Sequence, residues 1–174
     1  MALMFLLNPK RKHSWLRRWV CRVGTSLGFP NVEYAYVHGP PDRLRLGAGI
    51  SFGTNLILNT NSGTITIGEE TIFGHNCMVL TGTHRFIHGR RAKLSSATFR
   101  ETPETGYDVR IGSGVFVASG AIIVGPVEIG DDCLIGAGAV VVKDVPSGSF
   151  VGGNPARLIR SLKDAAAIAE PSRR

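Results

Sequence analysis

Aliphatic side chains recur every six residues through the second half of the chain, at Ile111, Val117, Ile123, Ile129, Ile135 and Val141. Four residues after each stands a second small or aliphatic residue: Val115, Ala121, Val127, Cys133, Ala139 and Val145. Six steps along a 3.6-residue turn miss a whole number of turns by about 120°, so a helix cannot keep this series on one face. A strand places i and i+4 on the same side. Each hexad therefore predicts a short strand and a corner, with both marked positions pointing inward. An earlier block repeats the pattern at Leu46, Phe52 and Leu58, then shifts by three residues into Ile67, Phe73 and Val79.

Composition supports a coil of short strands. The chain has 22 glycines and only 7% aromatic residues, and glycine is costly inside regular elements unless corners use it. Gly112, Gly130 and Gly136 each follow an inward aliphatic residue, and Gly47, Gly53, Gly68 and Gly74 follow Leu46, Phe52, Ile67 and Phe73 in the same way, which predicts positive φ at those corners. Asn59 takes the same place and tolerates the left-handed region. Ala118, Val124, Val142 and Leu80 stand there too, so the rule is not universal. No Gly-X-Y period marks a collagen, and no apolar run is long enough to span a bilayer.

Three segments fall outside the hexads. Residues 14–23 predict a short amphipathic helix capped by Ser14. Residues 85–110 predict one extruded loop, and Asn154-Pro155 predicts the N-cap and N1 of a helix through Ala167. The expected organisation is an N-terminal cap over 1–44, a coil over 45–153 with the loop 85–110, and a C-terminal helix and tail over 154–174.

These hexads resemble those of the hexapeptide-repeat acyltransferase superfamily, including sugar, galactoside and maltose O-acetyltransferases and xenobiotic acetyltransferases. The resemblance implies an all-β solenoid, a left-handed parallel β-helix with short terminal helices. It also implies a homotrimer with sites between adjacent subunits. By the same resemblance His84, in Val79-Leu-Thr-Gly-Thr-His-Arg-Phe86, matches the family's general base. A hydroxyl is a poor nucleophile at neutral pH, and an imidazole with a pKa of about 6.5 can take its proton as a thioester is attacked. Ser119 matches the serine that, with nearby backbone amides, contacts the thioester and its developing oxyanion, although Phe116 and Ala118 replace the family's usual Trp and Gly. The segments 136–146 and 152–160 resemble the terminal coil and NPA-type helix entry of acetyl-CoA-dependent members. That match implies backbone contacts from Ala137 to the pantetheine arm, Val142 and Lys143 along the coenzyme, and Arg157 and Arg160 near its phosphates. Asn55 lies near the family's acceptor-binding asparagine.

Other chemistries have less support. His84 and His88, four residues apart, suggest paired metal ligands, and zinc-dependent γ-carbonic-anhydrase-like proteins share such a coil, but the spacing differs from theirs and only His75 lies on a well-phased coil as a third candidate. No metal is expected. His13 and His38 lie outside the coil. Cys77 and Cys133 occupy inward positions as small core residues, and with Cys21 they form no CxxC pair, which fits a reducing cytoplasm. The formal net charge is +7. Lys10, Arg11, Lys12, Arg17, Arg18 and Arg22 carry most of it within an acid-free 1–30 segment, leaving a nearly neutral coil and no case for nucleic acid. With Trp15 and Trp19 that segment has the composition of an interfacial helix suited to an anionic membrane surface, although a solvated helix packed on the coil end is the favoured reading. The leading expectation is acetyl transfer from acetyl-CoA to a hydroxyl of a sugar or glycan, by direct attack with His84 as base. A streptogramin or chloramphenicol acceptor and a non-catalytic hexapeptide-repeat scaffold are the alternatives.

Overall fold

The computed structural model describes residues 35–82, 84, 86–87, 90–91 and 103–163. The predicted helix over 14–23, the basic segment 1–30, His13, His88 and Cys21 lie outside them. Among the described residues there are sixteen strands, thirteen of which build five coils. The first coil holds β1 (Ala35–His38) and β2 (Leu44–Leu46), and the second β3 (Leu56–Asn59), β4 (Ile65–Ile67) and β5 (Ile72–Phe73). The third opens with β6 (Met78–Leu80). After a side hairpin of β7 (Phe86–Ile87) and β8 (Arg90–Arg91), it resumes with β9 (Val109–Ile111) and β10 (Phe116–Val117). The fourth holds β11 (Ile122–Val124), β12 (Val127–Ile129) and β13 (Leu134–Ile135); the fifth holds β14 (Val140–Val141) and β15 (Ser149–Gly152), and β16 (Arg157–Ser161) follows.

Equivalent strands stack into three faces. Face A is β1-β3-β6-β11-β14, face B is β2-β4-β9-β12, and face C runs β5-β10-β13-β15 before closing with β16. Every pairing on the faces is parallel except β15 with β16. All twelve hexad residues named from Ile111 to Val145 are buried, as are Leu58, Ile67, Phe73 and Val79. Val and Ile suit these strands because their branched side chains pack well on a pleated surface. Between inward positions the B-to-C and C-to-A corners keep six residues, as from Ile67 to Phe73 and from Phe73 to Val79. The A-to-B corner absorbs all the irregularity. Nine residues separate Val37 from Leu46 and Leu58 from Ile67, six separate Ile123 from Ile129, and four separate Val141 from Val145. The phase shift in the sequence is therefore a longer corner. It also hides the first described turn: Ala35 and Val37, within the expected cap, already pack on the core.

The glycines have another purpose than the one expected. Gly112, Gly130 and Gly136 are not in the left-handed region, and neither is Asn59. Positive φ falls two residues later, at Gly49, Asn55, Glu70, Asn76, Gly114, Gly120, Asp132 and Gly138. The glycine right after the inward residue answers to the coil above. A Cβ on Gly68 would lie 2.5 Å from the Gly112 carbonyl carbon and the Ser113 nitrogen, and one on Gly74 would lie 2.6 Å from the Ser119 nitrogen.

The predicted C-terminal helix is also corrected. Arg157–Ser161 is a strand that pairs antiparallel with Ser149–Gly152 after a turn in which Gly153 takes φ +93° and Asn154–Pro155 is cis. β16 supplies backbone partners to the edge of face C that a helix would leave open. Residues 164–167 of the expected helix lie outside the described residues. Among the described residues the single helical element is a 3-10 turn at Pro41–Arg43, and no helix is long and apolar enough to cross a membrane.

Candidate functional site

The predicted site residues fall at two edges of the coil and across its end. Val142 and Lys143 sit in the short A-to-B corner of the fifth coil, where Arg157 meets them. A cleft of about 260 Å³ lies there, walled by Val141, Val145, Pro146, Val151, Ala156 and Leu158 beside the two cations and Asp144, whose carboxylate accepts from the Glu128 N–H at 2.8 Å. Val142 and Leu158 are both exposed, so the cleft joins apolar surface to positive charge. The terminal Nη1 of the Arg157 guanidinium donates to the Ala156 carbonyl at 2.9 Å, which ties the head group to the cleft wall. Arg160 is exposed on β16 and does not line the cleft.

His84 is exposed and follows β6 at the A-to-B edge, two coils below that cleft. Asn55, Ser119 and Ala137 occupy the opposite edge of face A, at C-to-A corners, with the His75 corner between Asn55 and Ser119. One face width separates the two edges, roughly 15–20 Å at 3.3 Å per residue. A single chain thus keeps His84 apart from Ser119.

The C-to-A edge is a column of hydrogen bonds. Thr54, His75, Ser119 and Ala137 take the same corner position in four consecutive coils. The Thr54 N–H donates to His75 Nδ1 at 3.0 Å, with the Thr54 hydroxyl 2.7 Å from the same nitrogen. The His75 N–H in turn donates to Ser119 Oγ at 3.1 Å. Ala137 offers no side-chain acceptor, and among the described residues none faces the Ser119 N–H. Beside this column Asn55 Nδ2 donates to Asn76 Oδ1 at 2.9 Å, both residues being left-handed. The B-to-C corner uses the same device, with Glu69 N–H donating to Ser113 Oγ, Ser113 N–H to Asp131 Oδ1 and Asp131 N–H to Ser147 Oγ. From the sequence His75 enters only as a third candidate metal ligand, and not as a member of this column. Its signal was there: it stands two residues after an inward Phe73, in phase with Thr54 and Ser119.

Cys77 and Cys133 are buried, and desolvation pushes both thiols upward against smaller opposing effects from backbone hydrogen bonds. They belong to the core and not to the edges. Among the described residues no three His, Cys, Asp or Glu side chains gather as a metal site.

The residues 108–143, spanning much of coils three to five, match the family model for the bacterial transferase hexapeptide (six repeats). The chain belongs to the hexapeptide-repeat acyltransferase superfamily. Its coil is the left-handed parallel β-helix of that superfamily, as in the maltose O-acetyltransferase of Clostridium difficile 630, with TM-score 0.59 and 25% identity over 92% of this chain and 83% of that one. A hexapeptide-repeat acetyltransferase from Vibrio cholerae, solved with acetyl coenzyme A, has TM-score 0.52 and 25% identity over 94% of this chain and 85% of its own. The galactoside O-acetyltransferase of Escherichia coli K12 is 31% identical over 137 residues, 76% of this chain and 63% of that enzyme. Serine acetyltransferase 2 of Arabidopsis thaliana is 32% identical over 112 residues, 64% of this chain and 31% of its own. This hexapeptide-repeat chain thus spans less than two thirds of the length of either relative.

Proposed function

We propose that the chain transfers an acetyl group from acetyl-CoA to a hydroxyl of a sugar or glycan. The observation that carries this reading is the cleft that gathers Val142, Lys143 and Arg157. Coenzyme A joins phosphates to a largely apolar pantetheine arm, and two cations beside exposed Val142 and Leu158 suit both parts. When bound, the thioester supplies the activated acetyl group. His84 takes the acceptor proton as the hydroxyl oxygen attacks and returns it to the departing thiol. Ser119 offers its hydroxyl and its N–H to the carbonyl oxygen on which charge gathers. Ala137 lies in the same column, Asn55 binds the acceptor, and Arg160 approaches the coenzyme only from outside the cleft.

The reading requires more than one copy, because His84 and Ser119 lie on opposite edges of face A. A homotrimer supplies the missing partner at each site. Two outward faces support this packing. Face A presents Tyr36, Ile57, Met78, Ile122 and Val140 in one row, and face C presents Ile72, Phe116, Leu134 and Phe150. Face B presents Arg45, Thr66, Arg110 and Glu128 and suits water. The decisive experiment is thiol release from acetyl-CoA across sugars, oligosaccharides, serine and antibiotics, with wild type and His84→Ala in parallel. The variant should lose about 10²–10⁴ in rate with the best acceptor. Wild-type-like rates would remove His84 as the base.

A further inference from the structure

The Thr54–His75–Ser119 column fixes the chemistry of an imidazole that has no role in the mechanism above. A backbone N–H can only donate, so the Thr54 N–H at 3.0 Å requires an unprotonated Nδ1 on His75. The neutral ring then carries its proton on Nε2. His75 is exposed, and its own backbone is pinned by the bond to Ser119 Oγ. The corner below holds Asn55, whose side-chain amide donates to Asn76, the residue following His75. His75 thus stands between the candidate acceptor asparagine and the candidate thioester serine as a preorganised N–H donor. Ladder function does not require an imidazole: at the B-to-C edge the same rung is filled by Ser113, Asp131 and Ser147, each accepting a backbone N–H through a side-chain oxygen.

We propose that His75 Nε2–H binds a second oxygen of the acceptor, beside the hydroxyl that is acetylated, and so selects polyhydroxylated acceptors over those with a single oxygen. The proposal rests on the acetyltransferase reading and adds a specificity residue to it. Two substitutions separate the two ring nitrogens. His75→Asn keeps an acceptor where Nδ1 stands and removes the outward donor; His75→Gln keeps an N–H where Nε2 stands and removes the rung.

Steady-state kinetics on the best acceptor, and on its deoxy analogues, are measured with the thermal midpoint of each variant. His75→Asn should raise the acceptor KM about five- to tenfold, the worth of one hydrogen bond, with the KM for acetyl-CoA and the thermal midpoint unchanged. His75→Gln should keep the acceptor KM and lower the midpoint. One deoxy analogue should be insensitive to His75→Asn, which identifies the oxygen held. An unchanged acceptor KM in His75→Asn overturns the proposal, as does a rise that accompanies a lower midpoint and a matching rise for acetyl-CoA, since that is the signature of a rung alone. A wild-type chain that releases no thiol with any acceptor overturns the underlying reading, and the proposal with it.

Discussion

The glycine after each inward residue offers the sharpest test of how this coil is held together. At Gly68 a methyl group would sit 2.5 Å from two backbone atoms of the coil above. Reaching an ordinary 3.4 Å contact requires a shift of 3.4 − 2.5 = 0.9 Å between coils. The Gly68 N–H bond to the Ile111 carbonyl, now 2.8 Å, and the Glu69 N–H bond to Ser113 Oγ, now 3.1 Å, would both stretch beyond useful length. Overpacking of this kind costs about 1–3 kcal/mol and each weakened hydrogen bond about 1 kcal/mol, so Gly68→Ala should cost about 3 kcal/mol. For a chain of this size that is a fall of about 6–12 °C in the thermal midpoint. Gly138→Ala isolates the other effect: φ is +67° with nothing within 4 Å of the added methyl, so only the left-handed backbone penalty of about 1–2 kcal/mol applies. Gly136→Ala meets neither problem to the same degree, its nearest neighbour being the Val151 carbonyl oxygen at 3.2 Å, and should cost less than about 1 kcal/mol. Denaturant unfolding at one fixed protomer concentration reads all three. Equal costs for Gly68→Ala and Gly136→Ala would refute the stacking argument, since the two occupy the same hexad position.

Two further outcomes follow from the cleft and the core. Lys143→Ala and Arg157→Ala should each weaken coenzyme A binding in calorimetry by about tenfold, with a shallower salt dependence, whereas Arg160→Ala should have a smaller effect; equal losses for all three would place the phosphates elsewhere. In a Cys21→Ser background, Cys77 and Cys133 should react slowly with an aromatic disulfide at pH 8 and fully in guanidinium, because burial raises both thiols above their ordinary 9.0. Their protonated forms favour the fold, so that contribution is present below pH 9 and lost as pH rises through the raised values.

Much of the coil was legible because its core obeys a strict period. Once Ile111 and Val117 are read as equivalent, Ile123, Ile129, Ile135 and Val141 follow. What misled was information that only stacking creates. The glycine at Gly112 looks like a turn residue in one dimension, but its neighbour in space is Asp131 of the next coil. Asn154-Pro155 reads as a helix start until the open edge of β15 is available to pair with Arg157–Ser161. Val37 and Leu46 belong to one coil, yet they are nine positions apart. On the site, the hexad phase placed Ser119 and Asn55 at corners, and the match to terminal-coil segments led to Val142, Lys143 and Arg157. His75 escaped because its significance is the Thr54 N–H, twenty-one residues earlier.

The breach in the third coil is spliced by the coils on either side. Below it, the Ser62 N–H donates to Thr81 Oγ1 where the chain leaves, and the Ser62 carbonyl accepts from Tyr107 N–H where it returns. Above it, Gly125 N–H donates to the Leu80 carbonyl and Val127 N–H to the Asp108 carbonyl. The two broken ends are thus anchored independently of whatever joins them. Doubling the length of a flexible connection costs only about 0.6 kcal/mol of closure entropy. The A-to-B edge therefore works as a socket beside His84, into which segments of different length and chemistry can be fitted while the stack of hexads stays in register.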